Sequence, residues 1–149
     1  NKMFRTNKKK KKYWAIVKNR PEVEEMTLTH YLLRNEKQNK TYVYNKPKNG
    51  AKLSTLSYKL IGRSDNYYLL EVNLQTGRHH QIRAQLAHIG CPIKGDLKYG
   101  FARSNKDGGI SLHARSLQFI HPVSKVQIDL VADVPQNDPL WVEFENQQK

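Results

Sequence analysis

Residues 76–83, Thr-Gly-Arg-His-His-Gln-Ile-Arg, form the segment whose residue types and spacing are best suited to chemistry. A glycine that allows a sharp turn precedes a predicted helix. The residues placed around its N-terminus are Gly77, Arg78, His79, His80 and Gln81. Free backbone N–H groups and the helix dipole attract anions there. Acidic residues suit that position better, so the basic cluster predicts a site for phosphate or RNA backbone. A helix that tolerates exposed cations is the alternative.

Arg83 is the second candidate within this segment. It follows Ile82, which begins a predicted buried stripe with Leu86 and Ile89. Each helical residue turns by about 100°, so we expect the Arg83 side chain at the edge of the helix–sheet interface. A guanidinium there could bind a carboxylate with paired hydrogen bonds, and a surface arginine is the alternative. Asp96, in a later turn, is interpreted as fixing its loop by bonding nearby backbone N–H groups.

The charge of the chain is strongly basic and unevenly distributed. The formal net charge is +13 and the pI is about 9.9. Residues 1–119 hold 24 Lys and Arg against 8 Asp and Glu, whereas residues 120–149 hold 2 against 5. Residues 8–12 are five consecutive lysines, of which Lys11 and Lys12 are candidates for RNA binding. This pattern favours a polyanionic partner, nucleic acid before membrane. A cationic surface kept for solubility is the alternative.

Other residue types exclude several classes of protein. Hydrophobic residues make up 38% of the chain, which favours a folded protein. The single cysteine, Cys91, excludes an internal disulfide and is interpreted as a small packing residue. The histidines are not accompanied by an acidic or cysteine cluster, so no metal site is expected. No signal peptide and no apolar run of about 20 residues is found. A cytosolic protein is expected, and Asn1 in place of a first methionine suggests a piece of a longer chain.

The elements that must position these residues are mostly strands. Residues 27–34 are ambiguous between helix and strand. Strands are predicted at about 13–17, 41–44, 53–61, 67–74, 111–120 and 126–132. Helices are predicted at about 79–89 and 139–146. Short turns between strands predict an α+β domain with a largely antiparallel or mixed sheet and a few helices.

An ordered set of motifs gives a specific resemblance. The segment 76–83 is followed by Gly-Cys-Pro-Ile-Lys-Gly-Asp at 90–96, Tyr-Gly at 99–100, Leu-His-Ala at 112–114 and Leu-Gln-Phe-Ile-His-Pro at 117–122. Upstream, residues 12–17 read Lys-Tyr-Trp-Ala-Ile-Val. Together these segments resemble the RluA family of RNA pseudouridine synthases. Residues 1–149 would then be the later part of that catalytic domain.

The resemblance implies a cofactor-free isomerase that detaches uracil from C1′ of a uridine in RNA, rotates it and rejoins it through C5. It matches Tyr13 to the tyrosine that stacks on the target base. It matches Arg83 to the arginine that pairs with the catalytic aspartate. It places Leu112, less specifically, as an apolar wall beneath the uracil. Ribosomal RNA is the expected substrate, with transfer RNA as the alternative.

One part of the family pattern is absent from the sequence. The family's nucleophile is an aspartate in a motif of the form H-R-L-D-x-x-T-S-G, and none of the six aspartates follows His-Arg-Leu. We therefore expect the 149-residue chain to be inactive alone. An RNA-binding module without catalysis is the main alternative, and a basic ribosome-associated structural protein is a third.

Overall fold

A computed structural model describes residues 9–149. It contains one seven-stranded sheet, in which every neighbouring pair is antiparallel, and two α-helices. The strands are β1 Lys9–Val17, β2 Glu25–Asn35, β3 Lys40–Tyr44, β4 Lys52–Arg63, β5 Tyr68–Leu74, β6 Leu112–Ile120 and β7 Gln127–Val131. The helices are α1 Gln81–His88 and α2 Pro139–Gln147. The predicted α+β class is confirmed.

The strands follow the order β3-β2-β4-β5-β1-β6-β7. The ambiguous segment at 27–34 is strand, and it forms most of β2. Its apolar residues Leu28 and Leu32 are buried, while Thr27 and Thr29 are exposed. Pairing with β3 and β4 on its two sides gives this segment its ladder hydrogen bonds. The residues of 27–34 alone do not contain that information, because the type of a strand segment depends on the neighbours with which it pairs.

β1 lies near the middle of the sheet and contributes to two separate cores. Because side chains alternate along a strand, Ala15 and Val17 lie on one face and Trp14 and Ile16 on the other. The first face is covered by α1, and its buried core is Ala15, Val17, Leu28, Leu56, Tyr58, Leu70, Val72, Ile82, Leu86, Cys91 and Ile93. The second is covered by α2, and its core is Trp14, Ile16, Leu69, Val134, Trp141 and Phe144. We call these the α1 face and the α2 face.

Each helix is fixed to its face by a recognisable feature. In α1, Ile82 and Leu86 are buried and Ile89 packs against the same core, as the stripe predicts. In α2, the Asp138 carboxylate accepts a hydrogen bond from Leu140 N at 3.0 Å, which caps the helix. Gly62 on β4 allows α2 to approach, since a Cβ there would lie 3.1 Å from Phe144 Cδ1. Neither helix is long and apolar enough to cross a bilayer, and residues 9–149 contain no other helix that is.

Candidate active site

Arg83 and Asp96 form the central pair of the site. Arg83 Nε donates to Asp96 Oδ2 and Nη2 donates to Oδ1, both at 2.8 Å. The Asp96 side chain is 1% exposed and that of Arg83 is 20% exposed. The hydrogen bonding of Arg83 to Asp96 raises the pKa of Arg83, against the opposite effect of burial. The predicted clamp geometry is therefore present, on a buried carboxylate.

The interpretation of Asp96 as a loop-fixing side chain is wrong. Its backbone carbonyl organises the turn, because it accepts hydrogen bonds from Tyr99 N and Phe101 N. Its side chain is used for Arg83, 13 residues earlier in the chain. Gly95 has a φ of 86° and permits this turn without strain. The sequence shows a Gly-Asp turn, but it does not show which way the carboxylate points.

His80 makes the third contact of the Arg83 guanidinium. Arg83 Nη1 lies 3.0 Å from His80 Nε2. A guanidinium only donates hydrogen bonds, so Nε2 accepts and the ring proton is on Nδ1. Nδ1 lies 2.7 Å from the Tyr99 hydroxyl and donates to it. Burial first, and then the positive charge of Arg83, lower the pKa of His80 to about 4. His80 is therefore neutral at pH 7.

Tyr99 and His79 connect this network to β3. The Tyr99 hydroxyl accepts a hydrogen bond from Thr41 N at 2.9 Å. The Thr41 hydroxyl donates to His79 O at 2.9 Å, and its oxygen lies 2.9 Å from His79 Nδ1. Burial and then the charge of Arg34 lower the pKa of His79. Both histidines of the motif thus make hydrogen bonds within the protein, and together they fix the connection that precedes α1.

The helix begins two residues later than predicted. α1 starts at Gln81, and His80 has a left-handed backbone with φ 53°. Gln81 is buried, and its Oε1 accepts from Arg78 N at 3.0 Å and from the Thr76 hydroxyl at 2.8 Å. Arg78 Nη2 donates to Leu53 O at 2.8 Å. The basic residues therefore lie in the connection before the helix rather than in its first turn.

Gly77 precedes these residues at an exposed position. A Cβ placed on Gly77 would meet no atom within 4 Å, so the backbone here is open to an incoming group. Close approach of a nucleic acid backbone uses such positions. The role of Gly77 and its neighbours in RNA binding stays a prediction.

Tyr13 and Leu112 lie together on the α1 face. In the β1–β6 ladder Tyr13 is opposite Ala114 and Ala15 is opposite Leu112, which makes Tyr13 and Leu112 diagonal neighbours. Both are half-buried and pack against the α1-face core. Among the described residues, the Tyr13 hydroxyl has no hydrogen-bond partner. The two residues that the resemblance assigns to the uracil are thus adjacent.

The lysine run is divided between the two faces of the sheet. Lys11 is on the Tyr13 side, and its Nζ lies 5.2 Å from the centroid of the Tyr13 ring. Lys12 is on the α2 face, and its Nζ lies 3.4 Å from Glu71 Oε1. Lys8 lies outside the described residues. The Lys11 side chain therefore lies beside the Tyr13 ring, whereas Lys12 forms an ion pair with Glu71 on the opposite face.

Two other predictions concern metal and thiol chemistry. Within residues 9–149, no three His, Cys, Asp or Glu side chains are grouped so that they could hold a metal ion. Cys91 is buried in the α1-face core, and burial raises the pKa of its thiol. Cys91 is therefore a packing residue, as the sequence predicts.

Sequence reasoning missed the roles of Asp96, Tyr99 and Thr41. Asp96 and Tyr99 belong to motifs that the sequence displays, so their positions were visible although their contacts were not. Thr41 carries no signal in the sequence, since it is an ordinary strand residue of β3. Its role depends on the placement of β3 beside the connection before α1.

Comparison with known proteins identifies the family. The model of the RNA pseudouridylate synthase family matches residues 1–88, more than half of the chain. An uncharacterized RNA pseudouridine synthase, YlyB, of Bacillus subtilis is 29% identical over 127 residues, which cover 85% of this chain and 41% of that protein. Ribosomal large subunit pseudouridine synthase D of Xylella fastidiosa is 36% identical over 100 residues, which cover 58% and 30%. tRNA pseudouridine synthase C of Vibrio parahaemolyticus is 29% identical, with 93% and 62% covered.

Solved structures agree on the fold. Human RNA pseudouridylate synthase domain containing 4 superposes with a TM-score of 0.75 at 22% identity, over 98% of this chain and 64% of that chain. Human RNA pseudouridylate synthase domain containing 1 gives a TM-score of 0.71 at 22% identity, over 93% and 61%. The chain thus spans less than two thirds of the length of each of these proteins. With its motifs, its family match and its fold in agreement, the chain belongs to the RluA family of RNA pseudouridine synthases.

Proposed function

We propose that this chain supplies the arginine and tyrosine side of an active site that converts uridine to pseudouridine in ribosomal RNA. The observation that carries the proposal is the fixed guanidinium of Arg83, with the Tyr13 and Leu112 pair on the same face of the sheet. The nucleophilic aspartate is proposed to come from sequence outside these 149 residues, since no H-R-L-D motif occurs among them.

Arg83 retains the capacity to orient a second carboxylate. A guanidinium has five N–H groups. Two bind Asp96 and a third binds His80, all within 3.0 Å. The remaining two are on Nη1 and Nη2, and a pair of guanidinium nitrogens is the usual partner of a carboxylate bound in a bidentate manner. Asp96 would hold the guanidinium in place through Nε and Nη2. The remaining N–H groups would bind the carboxylate of the nucleophile and keep it ionised.

Tyr13 and Leu112 would hold the target base. A uridine within a structured RNA must be flipped out of its stack, which costs a few kcal/mol. Stacking on an aromatic ring returns about 1–3 kcal/mol per base, and the half-buried Tyr13 ring beside Leu112 offers such a surface. Lys11, next to that ring, would bind an adjacent phosphate.

Ribosomal RNA is preferred over transfer RNA as the proposed substrate. Relatives named large-subunit pseudouridine synthase D, from three bacteria, are 35–39% identical over 93–100 residues. The relative named tRNA pseudouridine synthase C is 29% identical over a longer stretch. A cytoplasmic location is part of this proposal, since the enzyme must share a compartment with its RNA.

The test compares the 149-residue chain with a longer product of the same gene that includes the upstream coding sequence. Each is incubated with ribosomal RNA and with transfer RNA, and the nucleosides are separated by chromatography after digestion. The longer product is expected to form pseudouridine in ribosomal RNA, and the 149-residue chain is expected to form none. Pseudouridine made by the short chain would overturn the assignment of the nucleophile.

An RNA-binding module without catalysis is the second candidate, and the missing aspartate motif favours it. The same experiment separates the two. If the longer product has an H-R-L-D motif and its Arg83→Lys variant loses conversion while retaining RNA binding, the enzyme is supported. If the upstream sequence has no such motif, the binding module is the better description.

A further inference from the structure

We propose that a basic cavity at the carboxyl end of β1 binds phosphates of the substrate RNA at nucleotides away from the target uridine. The cavity has a volume of about 630 Å³. It lies between the end of β1, the β4–β5 turn and the loop of residues 100–106. Its lining includes the basic and polar residues Lys18, Tyr67, Lys94, Arg103, Asn105 and Lys106. That this RNA is the substrate of a pseudouridine synthase rests on the function proposed above.

All the charged residues that line the cavity are basic. Lys18, Lys94, Arg103 and Lys106 line it, and no acidic residue of the described chain does. Within residues 9–149, none of these four cations has a carboxylate within 4.0 Å, whereas Arg83 and Arg115 elsewhere do. Like charges gathered in one cavity repel. An anion between them would remove that repulsion and form charge-assisted hydrogen bonds.

The base of the cavity is fixed in place. Lys94 Nζ donates to Asn105 Oδ1 at 2.7 Å and lies 5.7 Å from the centroid of the Tyr67 ring. Asn105 Nδ2 donates in turn to Gly109 O at 3.0 Å and to Ser111 Oγ at 3.1 Å. The Lys94 ammonium has three N–H groups, so two remain for a ligand. A positioned ammonium loses less side-chain entropy on binding than a mobile one.

The packing around Asn105 adds to this rigidity. A Cβ on Gly95 would lie 2.6 Å from Asn105 Nδ2, so the asparagine amide packs directly on the Gly95 backbone. Lys94 N also donates to Ile16 O at 2.8 Å, which ties the base of the cavity to β1. The half-buried Lys94 is therefore rigid, while Lys18, Arg103 and Lys106 are exposed around it.

The location of the cavity determines which nucleotides it can reach. Lys18 follows the last residue of β1, five residues after Tyr13. A strand rises about 3.3 Å per residue, so the two Cα atoms are about 17 Å apart. A uridine stacked on Tyr13 cannot also occupy the cavity. Phosphates of other nucleotides in the same RNA molecule can occupy the cavity. Several separate cations suit a backbone of several phosphates better than one free nucleotide.

The test measures RNA affinity against salt for two matched double variants of the 149-residue chain. Arg103→Gln with Lys106→Gln removes two exposed cations of the cavity. Lys59→Gln with Lys149→Gln removes two exposed cations elsewhere, so the net charge is the same. Binding is followed by fluorescence anisotropy of a labelled ribosomal RNA fragment. The slope of log affinity against log salt is expected to fall by about 2 in the cavity variant, and by less than 1 in the control. Equal falls in both variants would overturn the proposal.

A second measurement distinguishes RNA backbone from a free nucleotide. Uridine monophosphate and inorganic phosphate are titrated against the chain and against its Lys94→Gln variant, with amide NMR shifts as the readout. Weak binding, above about 1 mM, supports an RNA backbone site. Tight binding of uridine monophosphate that Lys94→Gln abolishes would overturn it in favour of a nucleotide site. The outcome is independent of catalysis, because a longer product that converts no uridine can still show the cavity-specific salt slope.

Discussion

The buried carboxylate of Asp96 depends on Arg83 for its charge compensation. At 1% exposure the side chain has little access to water. Removing a charged group from water is costly unless a partner of opposite charge and hydrogen bonds replace the solvent. Arg83 provides both, with two bonds at 2.8 Å. Asp96 is thus a positioning residue, whose effect on an RNA would be exerted through the guanidinium.

Asp96→Asn should therefore be strongly destabilising. An amide directs N–H groups at the guanidinium N–H groups and leaves Arg83 without a full counter-charge. Breaking one partner of a buried pair costs about 3–5 kcal/mol of unfolding free energy. Urea denaturation measures this, and Asp129→Asn on an exposed position of β7 is the matched control, expected to stay within about 0.5 kcal/mol. A decrease below about 1 kcal/mol for Asp96→Asn would contradict the energetic importance of the buried pair.

His80 should give the chain a measurable pH dependence of stability. The folded chain holds its pKa at about 4, below the ordinary value of 6.5. Between these values the unfolded chain takes up a proton that the folded chain does not. Stability is therefore expected to fall as the pH falls from 6.5 towards 4, and this contribution levels off below that.

His80→Gln is the variant that checks this. Glutamine can accept from Arg83 and donate to Tyr99 without titrating. The variant should lose less stability than the original chain between pH 6.5 and pH 4.5, as measured by urea midpoints at both values. Equal decreases in the two proteins would show that His80 is not the group responsible.

The sequence indicated which side chains of this segment could take part in the site, but it did not identify the residues that they contact. Paired hydrogen bonds of Arg83 to a carboxylate were one of two possibilities that its type and its place beside the buried stripe allowed, the other being a surface arginine. Their acceptor, Asp96, depends on a turn whose direction is set by tertiary contacts. The neutral state of His80 likewise depends on burial and on Arg83, and no local pattern contains either.

At the scale of elements, β1 separates two kinds of lysine. Lys11 shares the α1 face with Tyr13, and Lys12 is on the α2 face beside Glu71. Alternation along a strand requires this division. The sequence displays the lysine run as one basic patch. Once residues 9–12 are known to be part of the strand, the alternation of side chains assigns Lys11 and Lys12 to opposite faces of the sheet.

Lys11→Gln should weaken RNA binding more than Lys12→Gln. Removing a cation that binds one phosphate lowers the slope of log affinity against log salt by about 1, which is expected for Lys11 only. Both variants change the net charge equally, so each is the control for the other. Anisotropy titrations at several salt concentrations provide the measurement. An equal effect of both substitutions would mean that the two lysines act only through overall charge.

The elements themselves were largely predictable from the sequence. The apolar stripe of Ile82, Leu86 and Ile89 predicts α1 and its buried face, and the structure has both. The start of α1 was misplaced because His80 adopts a left-handed backbone, which is uncommon outside glycine. β2 stayed ambiguous because its type is decided by pairing with β3 and β4.

At the scale of the whole molecule, the sheet ends in β7, a strand with one described neighbour. β7 pairs with β6 only, in the order of the described strands. Its residues Leu130 and Val131 are 53% and 64% exposed. An exposed edge with apolar side chains is a template for pairing with another chain. The sequence predicts strand here, but it does not show that the strand is at an edge.

The 149-residue chain should therefore associate with itself in a concentration-dependent manner. Leu130→Lys places a charge on the edge strand and is expected to reduce that association. Val123→Lys, in the exposed turn before β7, makes the same change of residue type and is expected to leave it unaltered. Sedimentation velocity at several protein concentrations measures the difference. Equal reduction by both substitutions would show that added charge, rather than the edge, is responsible.

The α2 face also contains a built-in optical probe. The chain has two tryptophans, Trp14 and Trp141, and both are buried in the core of that face. The Arg115 guanidinium lies 4.3 Å from the Trp14 ring and binds Glu145 of α2. Intrinsic emission on excitation near 295 nm therefore arises from the side of the sheet that Tyr13 does not face. A spectroscopist can thus follow the unfolding of that side of the sheet without attaching a label.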